Sequence, residues 1–358
     1  MVEVATFGET MLRLSPPTGE RIESTDSLEC RTAGAESNVA IAAARLGTDA
    51  AWLSKLPDSV LGRRVASDIR SHGVDTRVVW ADEGRQGTYY IEQAGEPRGS
   101  NVIYDRADAA VTTATADELA VDAVAEADVF FTTGITPALS ETLFETTREL
   151  LETDGTTAFD LNYRSKLWSE DEAKDAYDAL LPSVDLLFAP ERDARSILDI
   201  SGEPADVVEI LQSRYGCGTV VLTRGDDGAI ATSAKGTVEQ PVFEADTIDP
   251  IGTGDAFVGA FLSRYVRGAS TAEALRWGAA TAALKRTIAG DIALVSETEV
   301  EALLNAGSGG IDRCRRRTAS GRRRCRRPRR GPTASTAGSP GTRSSRSPQC
   351  SPGTGRGR

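Results

Sequence analysis

Asp249-Pro250-Ile251-Gly252-Thr253-Gly254-Asp255-Ala256-Phe257-Val258-Gly259-Ala260-Phe261 is the stretch that decides the fold of this chain. Gly252 and Gly254 precede Asp255 and a run with helical spacing, which predicts a turn leading into a helix N-terminus. Unpaired backbone N–H groups and the positive end of the helix dipole form an anion site there. Asp255 is placed to accept a proton from a hydroxyl held against a phosphate. The stretch predicts phosphoryl transfer to an alcohol, although its spacing is also typical of a plain turn with an N-cap.

The same residues resemble the C-terminal signature of the ribokinase (PfkB) sugar-kinase family, which reads Asp-Pro-x-Gly-Thr-Gly-Asp-Ala-Phe here. The resemblance implies that Gly252, Thr253 and Gly254 hold the transferring phosphate and that Asp255 is the catalytic base. Thr253 stands where most members have Ala or Ser, and this leaves both glycines and Asp255 unchanged. The implied cofactors are ATP and Mg²⁺, with K⁺ as a further candidate ion.

Charge is divided unevenly along the chain. Residues 311–358 contain 15 Arg, no Lys and one acidic residue, whereas residues 1–310 contain 26 basic and 52 acidic residues. A net charge of -26 on residues 1–310 would repel itself at low salt and suits a salt-rich cytoplasm, which indicates a halophilic protein. Attraction of a basic partner is the less favoured reading, because the acidic residues are spread along the chain.

The cysteine and histidine content indicates neither an exported protein nor one with a His-rich metal site. Cys30 and Cys217 are the only cysteines before residue 311, which predicts a reducing, cytoplasmic location. His72 is the sole histidine, so His-based triads and His-rich metal sites are excluded. The N-terminus lacks the pattern of a signal peptide, and no apolar run reaches the length of a membrane span.

Helical periods alternate with short apolar runs after Asp108, in the order 129–132, 139–151, 157–160, 170–181 and 186–189. This order predicts parallel βαβ units with ligands at the C-terminal ends of the strands. We expect one α/β domain over residues 1–310, ribokinase-like, with a central, mostly parallel sheet flanked by helices. Short alternating runs at 78–80, 88–91 and 102–104 differ from this pattern. With residues 9–33, the segment 76–109 is predicted to form a small β-sheet lid that excludes water from the transfer.

Two further motifs concern the substrate. Gly34 and Asn38 open a predicted helix, and the segment Asp160-Leu161-Asn162-Tyr163-Arg164-Ser165-Lys166-Leu167-Trp168 follows a predicted strand. This segment resembles the 2-keto-3-deoxygluconate kinase branch of the family, in which the arginine meets the carboxylate of a sugar acid. The resemblance implies these substrate contacts: Gly34, Asn38, Tyr89, Tyr104, Arg106, Arg164, Asp255 and Asp291. By spacing alone, Gly34 and Asn38 also fit a simple turn and helix start, Tyr104 and Arg106 fit an edge strand, and a one-residue slip would exchange Tyr89 with Tyr90.

The nucleotide and metal sites are also implied by the resemblance. The predicted ATP contacts are Asn162, Arg164, Thr223, Gly225, Gly228, Gly252 and Gly254. Without the resemblance, Gly225 to Gly228 is typical of a hairpin turn. Asp193 occupies the place of a family carboxylate associated with Mg²⁺, and it also fits a solvated acid at a helix start.

The Arg-rich segment from residue 311 has no hydrophobic period and cannot form a core. Its composition fits a nucleic-acid-binding tail, a solvated tail without a role, or translation out of frame. We favour translation out of frame, because the net charge changes sign abruptly at this segment. We expect ATP-dependent phosphorylation of 2-keto-3-deoxygluconate at its terminal hydroxyl by a homo-oligomer, without nucleic acid or membrane as partner. The alternatives are a fructokinase or ribokinase acting on a neutral sugar, and nucleic-acid binding through the tail.

Overall fold

The computed structural model describes residues 2–94 and 97–307. The Arg-rich segment from residue 311 lies outside these residues, and so do the three interpretations of that segment. Within the described part of the chain, each helix is too short or too polar to cross a lipid bilayer.

The described residues form two sheets. Their strands are β1 (Val4–Phe7), β2 (Met11–Ser15), β3 (Glu29–Ala33), β4 (Ala50–Pro57), β5 (Asp75–Ala81), β6 (Thr88–Glu92), β7 (Asn101–Asp105), β8 (Val129–Thr133), β9 (Thr156–Asp160), β10 (Leu186–Pro190), β11 (Thr219–Thr223), β12 (Ala229–Ser233) and β13 (Gly236–Gln240). The large sheet has the order β13-β12-β11-β10-β9-β8-β1-β4-β5, and the small sheet has the order β3-β2-β6-β7. All neighbours from β11 to β5 in the large sheet are parallel, and β12 and β13 add an antiparallel edge.

Helices cover both faces of the large sheet. They are α1 (Ala35–Arg45), α2 (Val60–Ser71), α3 (Val121–Ala125), α4 (Glu141–Leu150), α5 (Glu170–Leu180), α6 (Glu191–Ser196), α7 (Pro204–Tyr215), α8 (Thr253–Tyr265), α9 (Thr271–Arg286) and α10 (Glu297–Gly307). Phe130 and Phe131 of β8 are adjacent in sequence and therefore pack into cores on opposite faces. The core that contains Phe130 also includes residues of α5 and α7, and the core that contains Phe131 also includes Phe261 of α8. The α/β class, the mostly parallel sheet and the second small sheet are confirmed.

One strand belongs to a different sheet from the one predicted. Residues 78–80 were assigned to the lid, but β5 pairs in parallel with β4 along its whole length, from Ala51 opposite Asp75 to Pro57 opposite Ala81. The period-2 pattern arises because β5 is an edge strand with one half-exposed face. The small sheet therefore consists of β2 and β3 from the first predicted lid segment, and of β6 and β7, from Thr88 onward, in the second.

Close packing of α1 on α8 positions the predicted site. A Cβ atom at Gly259 of α8 would come within 2.6 Å of the Ala42 side chain and the Val39 carbonyl oxygen of α1. The small residues of α1 thus serve helix contact as well as sheet contact. This contact places the start of α8 beside the start of α1, where Asn38 lies.

Candidate active site

The start of α8 forms an open cradle of backbone N–H groups. Gly252 is its N-cap residue and has a φ of 77°, a conformation that side chains other than glycine rarely adopt. A Cβ atom at Gly252 would also overlap the main-chain carbonyl of Asp291. A Cβ at Gly254, by contrast, would have no atom within 4 Å, so the backbone there faces open space. The structure has the features of an anion site at a helix N-terminus.

Asp255 lies in the first turn of α8 and is half-buried. Its Oδ2 accepts a 2.7 Å hydrogen bond from Nδ2 of Asn38. Burial raises the pKa of Asp255 to about 6, while the bond from Asn38 and the positive charge of Arg164 act in the opposite direction. A carboxyl group with this pKa is ionised at neutral pH and is more basic than an ordinary aspartate, which suits a general base.

A cavity of about 890 Å³ opens between the large and the small sheet. It is lined by most of the predicted site residues, namely Gly34, Asn38, Tyr89, Tyr104, Arg106, Asn162, Arg164, Thr223, Gly252, Thr253, Gly254, Asp255 and Asp291. Thr223 at the end of β11 reaches it, whereas Gly225 and Gly228 lie in the turn between β11 and β12. Tyr89 of β6 lines the cavity, and its neighbour Tyr90 does not, so the choice of Tyr89 as a substrate contact stays a prediction that this geometry allows.

The two predicted arginines differ in their pairing. Nη1 of Arg164 donates to the main-chain carbonyls of Asn162 and Tyr163, at 3.3 and 3.0 Å. Arg106 forms a buried ion pair with Glu9, which also lines the cavity. Within the described part of the chain, Arg164 forms no ion pair with a carboxylate, so it is the arginine that a ligand carboxylate would meet first.

Asp291 is the centre of a buried network that joins the small sheet to the cradle. Its Oδ2 accepts a 2.6 Å bond from Arg13 of β2, and its Oδ1 accepts a 3.1 Å bond from the hydroxyl of Tyr89. Arg13 also lies 3.5 Å from Asp249, at the start of the cradle loop. Because both oxygens of Asp291 already accept protein donors, this residue holds the site together as well as lining it.

A second group of carboxylates lies at the ends of β9 and β10. Asp160 lines the cavity, and burial together with the negative charges of Asp255 and Asp193 raises its pKa to about 8. Asp193 is fully buried and accepts bonds from the Tyr163 backbone N–H at 3.3 Å and from Arg192 at 2.9 Å. Residues 2–94 and 97–307 hold no cluster of three or more potential metal ligands. Mg²⁺ in kinases is bound by one or two carboxylates together with substrate phosphates, so Asp160 fits such an ion, and the role predicted for Asp193 stays a prediction.

Glu36 is a further carboxyl group that the sequence did not single out. It lines the cavity, is almost fully buried, and accepts bonds from the hydroxyls of Thr133 and Thr136 at 2.6 and 2.8 Å. Burial raises its pKa to about 7. The sequence analysis did not identify Arg13, Glu9 and Glu36, because the role of each depends on a partner that is distant in the chain. The only signal in the sequence was a charged residue inside an apolar run.

A helix-terminal anion cradle beside a carboxylate base, in a cleft between a parallel sheet and a small second sheet, is the arrangement expected of a small-molecule phosphotransferase. Comparison with known proteins narrows this class. The sequence pattern of the pfkB family carbohydrate kinases matches residues 1–299. This chain belongs to the pfkB family of carbohydrate kinases.

Three relatives illustrate the likeness. The chain is 62% identical over 315 residues to the 2-dehydro-3-deoxygalactonokinase of Haloferax volcanii, covering 87% of this chain and 99% of that protein. It is 29% identical over 311 residues to the 2-dehydro-3-deoxygluconokinase of Thermoproteus tenax, covering 86% and 95%. The crystal structure of 2-dehydro-3-deoxygluconokinase from Thermotoga maritima matches with a TM-score of 0.79 and 33% identity, covering 85% and 98%.

Proposed function

We propose that this carbohydrate kinase transfers the terminal phosphoryl group of ATP to the terminal hydroxyl of a 2-keto-3-deoxy sugar acid, the substrate class also written 2-dehydro-3-deoxy. The supporting observation is that one cavity is lined by the Gly252–Gly254 cradle, by Asp255 and by Arg164. A neutral sugar would need the first two but would leave the arginine without a partner. The relatives named for kinases of such acids support the same class.

In this mechanism the substrate carboxylate pairs with Arg164, which directs the opposite end of the sugar toward Asp255. Asp255 accepts the proton of the terminal hydroxyl as that oxygen attacks the γ-phosphorus of ATP. The bond between the γ-phosphorus and the bridging oxygen breaks, and ADP leaves with the electron pair. Backbone N–H groups of Gly252 to Gly254 stabilise the charge that develops on the transferring group.

Mg²⁺, when bound, would neutralise charge on the nucleotide phosphates, and Asp160 is the cavity-lining carboxylate best placed to hold it directly or through water. Asp193, whose charge acts on Asp160, would add negative charge near the ion. Thr223, at the end of β11, marks the part of the cavity assigned to the nucleotide.

Two epimers of the acid compete as the preferred substrate. The resemblance of Asp160 to Trp168 predicted the gluconate-derived acid, while the 62% identical relative is named for the galactonate-derived acid. The higher identity favours the galactonate-derived epimer, with the gluconate-derived epimer as a second substrate. Fructose is the neutral sugar to compare, since the chain is also 31% identical to a fructokinase of Zea mays over 84% of its length.

A coupled ADP-release assay tests the proposal. It would compare both 2-keto-3-deoxy acids with fructose and ribose, in concentrated KCl, with purified full-length protein. We expect kcat/KM for at least one acid to exceed that for either neutral sugar by about 100-fold, the range given by one charge-assisted contact. Equal or higher kcat/KM for a neutral sugar would overturn the proposed substrate class.

A further inference from the structure

Lys285 is a buried cation that the mechanism above does not use. It lies in the last turn of α9, and its side chain is completely inaccessible to solvent. Its Nζ donates to the main-chain carbonyl of Asp249 at 3.1 Å and to that of Ile288 at 3.2 Å. Among the residues that the structure describes, no other lysine is fully buried.

Both carbonyls belong to the loops that build the phosphate cradle. Asp249 begins the loop that ends at Gly252, and Ile288 lies in the loop after α9, in which the carbonyl of Asp291 lies against Gly252. The Asp249 carboxylate also bridges these loops, because it accepts backbone bonds from Ile251 at 3.1 Å and from Gly290 at 2.9 Å. One ammonium group therefore fixes the two segments that shape the anion site.

A buried ammonium group costs free energy unless nearby groups compensate its charge. An apolar side chain of similar volume would avoid this cost, so the charge itself has a use. Burial lowers the pKa of Lys285, and the negative charges of Asp249, Asp291 and Asp255 act against that shift. The charge of Lys285 in turn lowers the pKa of Asp255, so the lysine is close enough to act on the base.

Main-chain carbonyl oxygens near acidic groups are also what a monovalent metal ion would bind. In this chain a lysine ammonium is the cation that these carbonyl oxygens bind. Lys285 does not line the cavity, so it does not touch the substrate and acts through the two loops and through its electrostatic field.

We propose that Lys285 is a positioning residue for phosphoryl transfer, an internal cation that holds the cradle loops together and supplies the positive charge that a monovalent metal ion would otherwise provide. This inference rests on the proposed kinase mechanism but not on the identity of the sugar acid. It predicts that replacing K⁺ with choline at equal ionic strength leaves wild-type kcat unchanged, and a specific stimulation by K⁺ would contradict it.

Chemical rescue tests the proposal. Lys285→Ala removes three methylene groups and the ammonium, which propylammonium matches in length and charge and 1-propanol matches in length alone. We expect kcat to fall about 100-fold, as when one group that stabilises the transferring charge is removed, with KM for the sugar acid within about threefold of wild type. Propylammonium should restore kcat about tenfold, and 1-propanol should not. Equal rescue by both compounds, or by neither, would overturn the role of the charge.

Two controls separate this role from general destabilisation. Lys55→Ala removes another largely buried lysine, which bonds Glu118 and the Thr113 carbonyl away from the cradle, and its activity should be insensitive to propylammonium. Lys285→Met keeps the side-chain volume, so it carries the test if Lys285→Ala does not fold. Unchanged kcat in folded Lys285→Met would overturn the proposal.

Binding of adenylyl imidodiphosphate with Mg²⁺ gives a readout that needs no sugar. We expect about tenfold weaker binding to Lys285→Met than to wild type, and unchanged binding would count against the proposal. If wild-type protein binds this nucleotide but phosphorylates no sugar acid, the proposed substrate fails while the inference on Lys285 stands or falls by the binding result.

Discussion

Asn38 of α1 donates a 2.7 Å hydrogen bond to Asp255 of α8, which lies 217 residues further along the chain. The bond links the start of α1 to the start of α8, the helix proposed to bind the transferring phosphate at its N-terminus. It stabilises the ionised form of Asp255 while burial raises the pKa of the same group. The proposed base is thereby both oriented and kept ionised at neutral pH.

Asp255→Asn should abolish turnover without preventing nucleotide binding. The amide retains the shape of the side chain and loses the ability to accept the proton, so we expect kcat to fall by about 10³-fold or more. The affinity for adenylyl imidodiphosphate, measured by calorimetry, should change by less than about threefold. Near-normal turnover in this variant would show that another group is the base.

The pH dependence of kcat/KM should follow the ionisation of Asp255. Its pKa is about 6 and the carboxylate is the active form, so kcat/KM measured at saturating Mg²⁺, which would keep Asp160 ionised, should fall tenfold per unit below pH 6. Asn38→Ala removes a donor that stabilises the carboxylate, so the acid limb should move to higher pH by about one unit.

His72→Asn is the control for this profile. His72 is the sole histidine of the chain, and histidines in general titrate near pH 6.5. His72 is the C-cap residue of α2, through its backbone N–H, and it does not line the cavity. The acid limb should be identical in His72→Asn and wild type; a limb that disappears with the histidine would remove Asp255 as its source.

Gly252→Ala should distort the cradle. The added Cβ would be strained by the φ of 77° and would overlap the carbonyl of Asp291, so we expect a loss of about 2 kcal/mol or more in the free energy of unfolding and at least a 100-fold lower kcat. Gly268→Ala is the matched control, because its φ is 74° but its Cβ would have no atom within 4 Å. Gly268→Ala should lower the free energy of unfolding only through the strained backbone conformation, by about 1 kcal/mol, and leave kcat unchanged. Similar losses in both variants, measured by chemical denaturation, would argue against the close contact at Gly252.

Substitution of Arg164 should change the KM for a sugar acid, whereas substitution of Arg106 should change the free energy of unfolding. Arg164→Ala should raise KM for a sugar acid about 100-fold and leave KM for fructose nearly unchanged, because only the acid has a carboxylate. Arg106→Ala would leave Glu9 buried without its partner and should lower the free energy of unfolding by about 3 kcal/mol. Arg85→Ala, which breaks an exposed pair with Asp105, should affect neither quantity much. Equal changes in KM for acid and neutral sugar in Arg164→Ala would contradict the carboxylate contact.

Stability should rise with salt. Residues 1–310 carry a net charge of -26, and screening reduces the repulsion among these charges. We expect Tm to be at least about 10 °C higher in 2 M than in 0.1 M KCl, measured by scanning calorimetry. An equal molality of sorbitol controls for solute exclusion, and an equal rise with sorbitol would show that screening is not the cause.

Much of the fold could be predicted because it depends on local patterns. Alternating apolar runs and helical periods locate the parallel strands, and the Gly252–Asp255 turn locates the start of α8. The period of β5 was read correctly as a strand but assigned to the small sheet, since a period of two residues reports which side chains are exposed and not which strand is the neighbour.

The site was predictable to the extent that its residues sit in motifs. Asp255, Arg164 and Tyr89 fall on the cavity as expected. Glu36 and Lys285 were not foreseen, because their significance comes from burial and from partners in other segments of the chain. Sequence spacing carries no information about such pairs.

The account rests on a single geometry, in which the substrate carboxylate lies on Arg164 and the terminal hydroxyl lies on Asp255. A crystal structure with a 2-keto-3-deoxy sugar acid, Mg²⁺ and adenylyl imidodiphosphate measures it directly. We predict that the terminal hydroxyl oxygen lies about 2.6–3.2 Å from a carboxylate oxygen of Asp255, the range for direct proton transfer, with the substrate carboxylate paired to Arg164. A sugar acid bound with its carboxylate toward the cradle, or with its terminal hydroxyl remote from Asp255, would contradict the account.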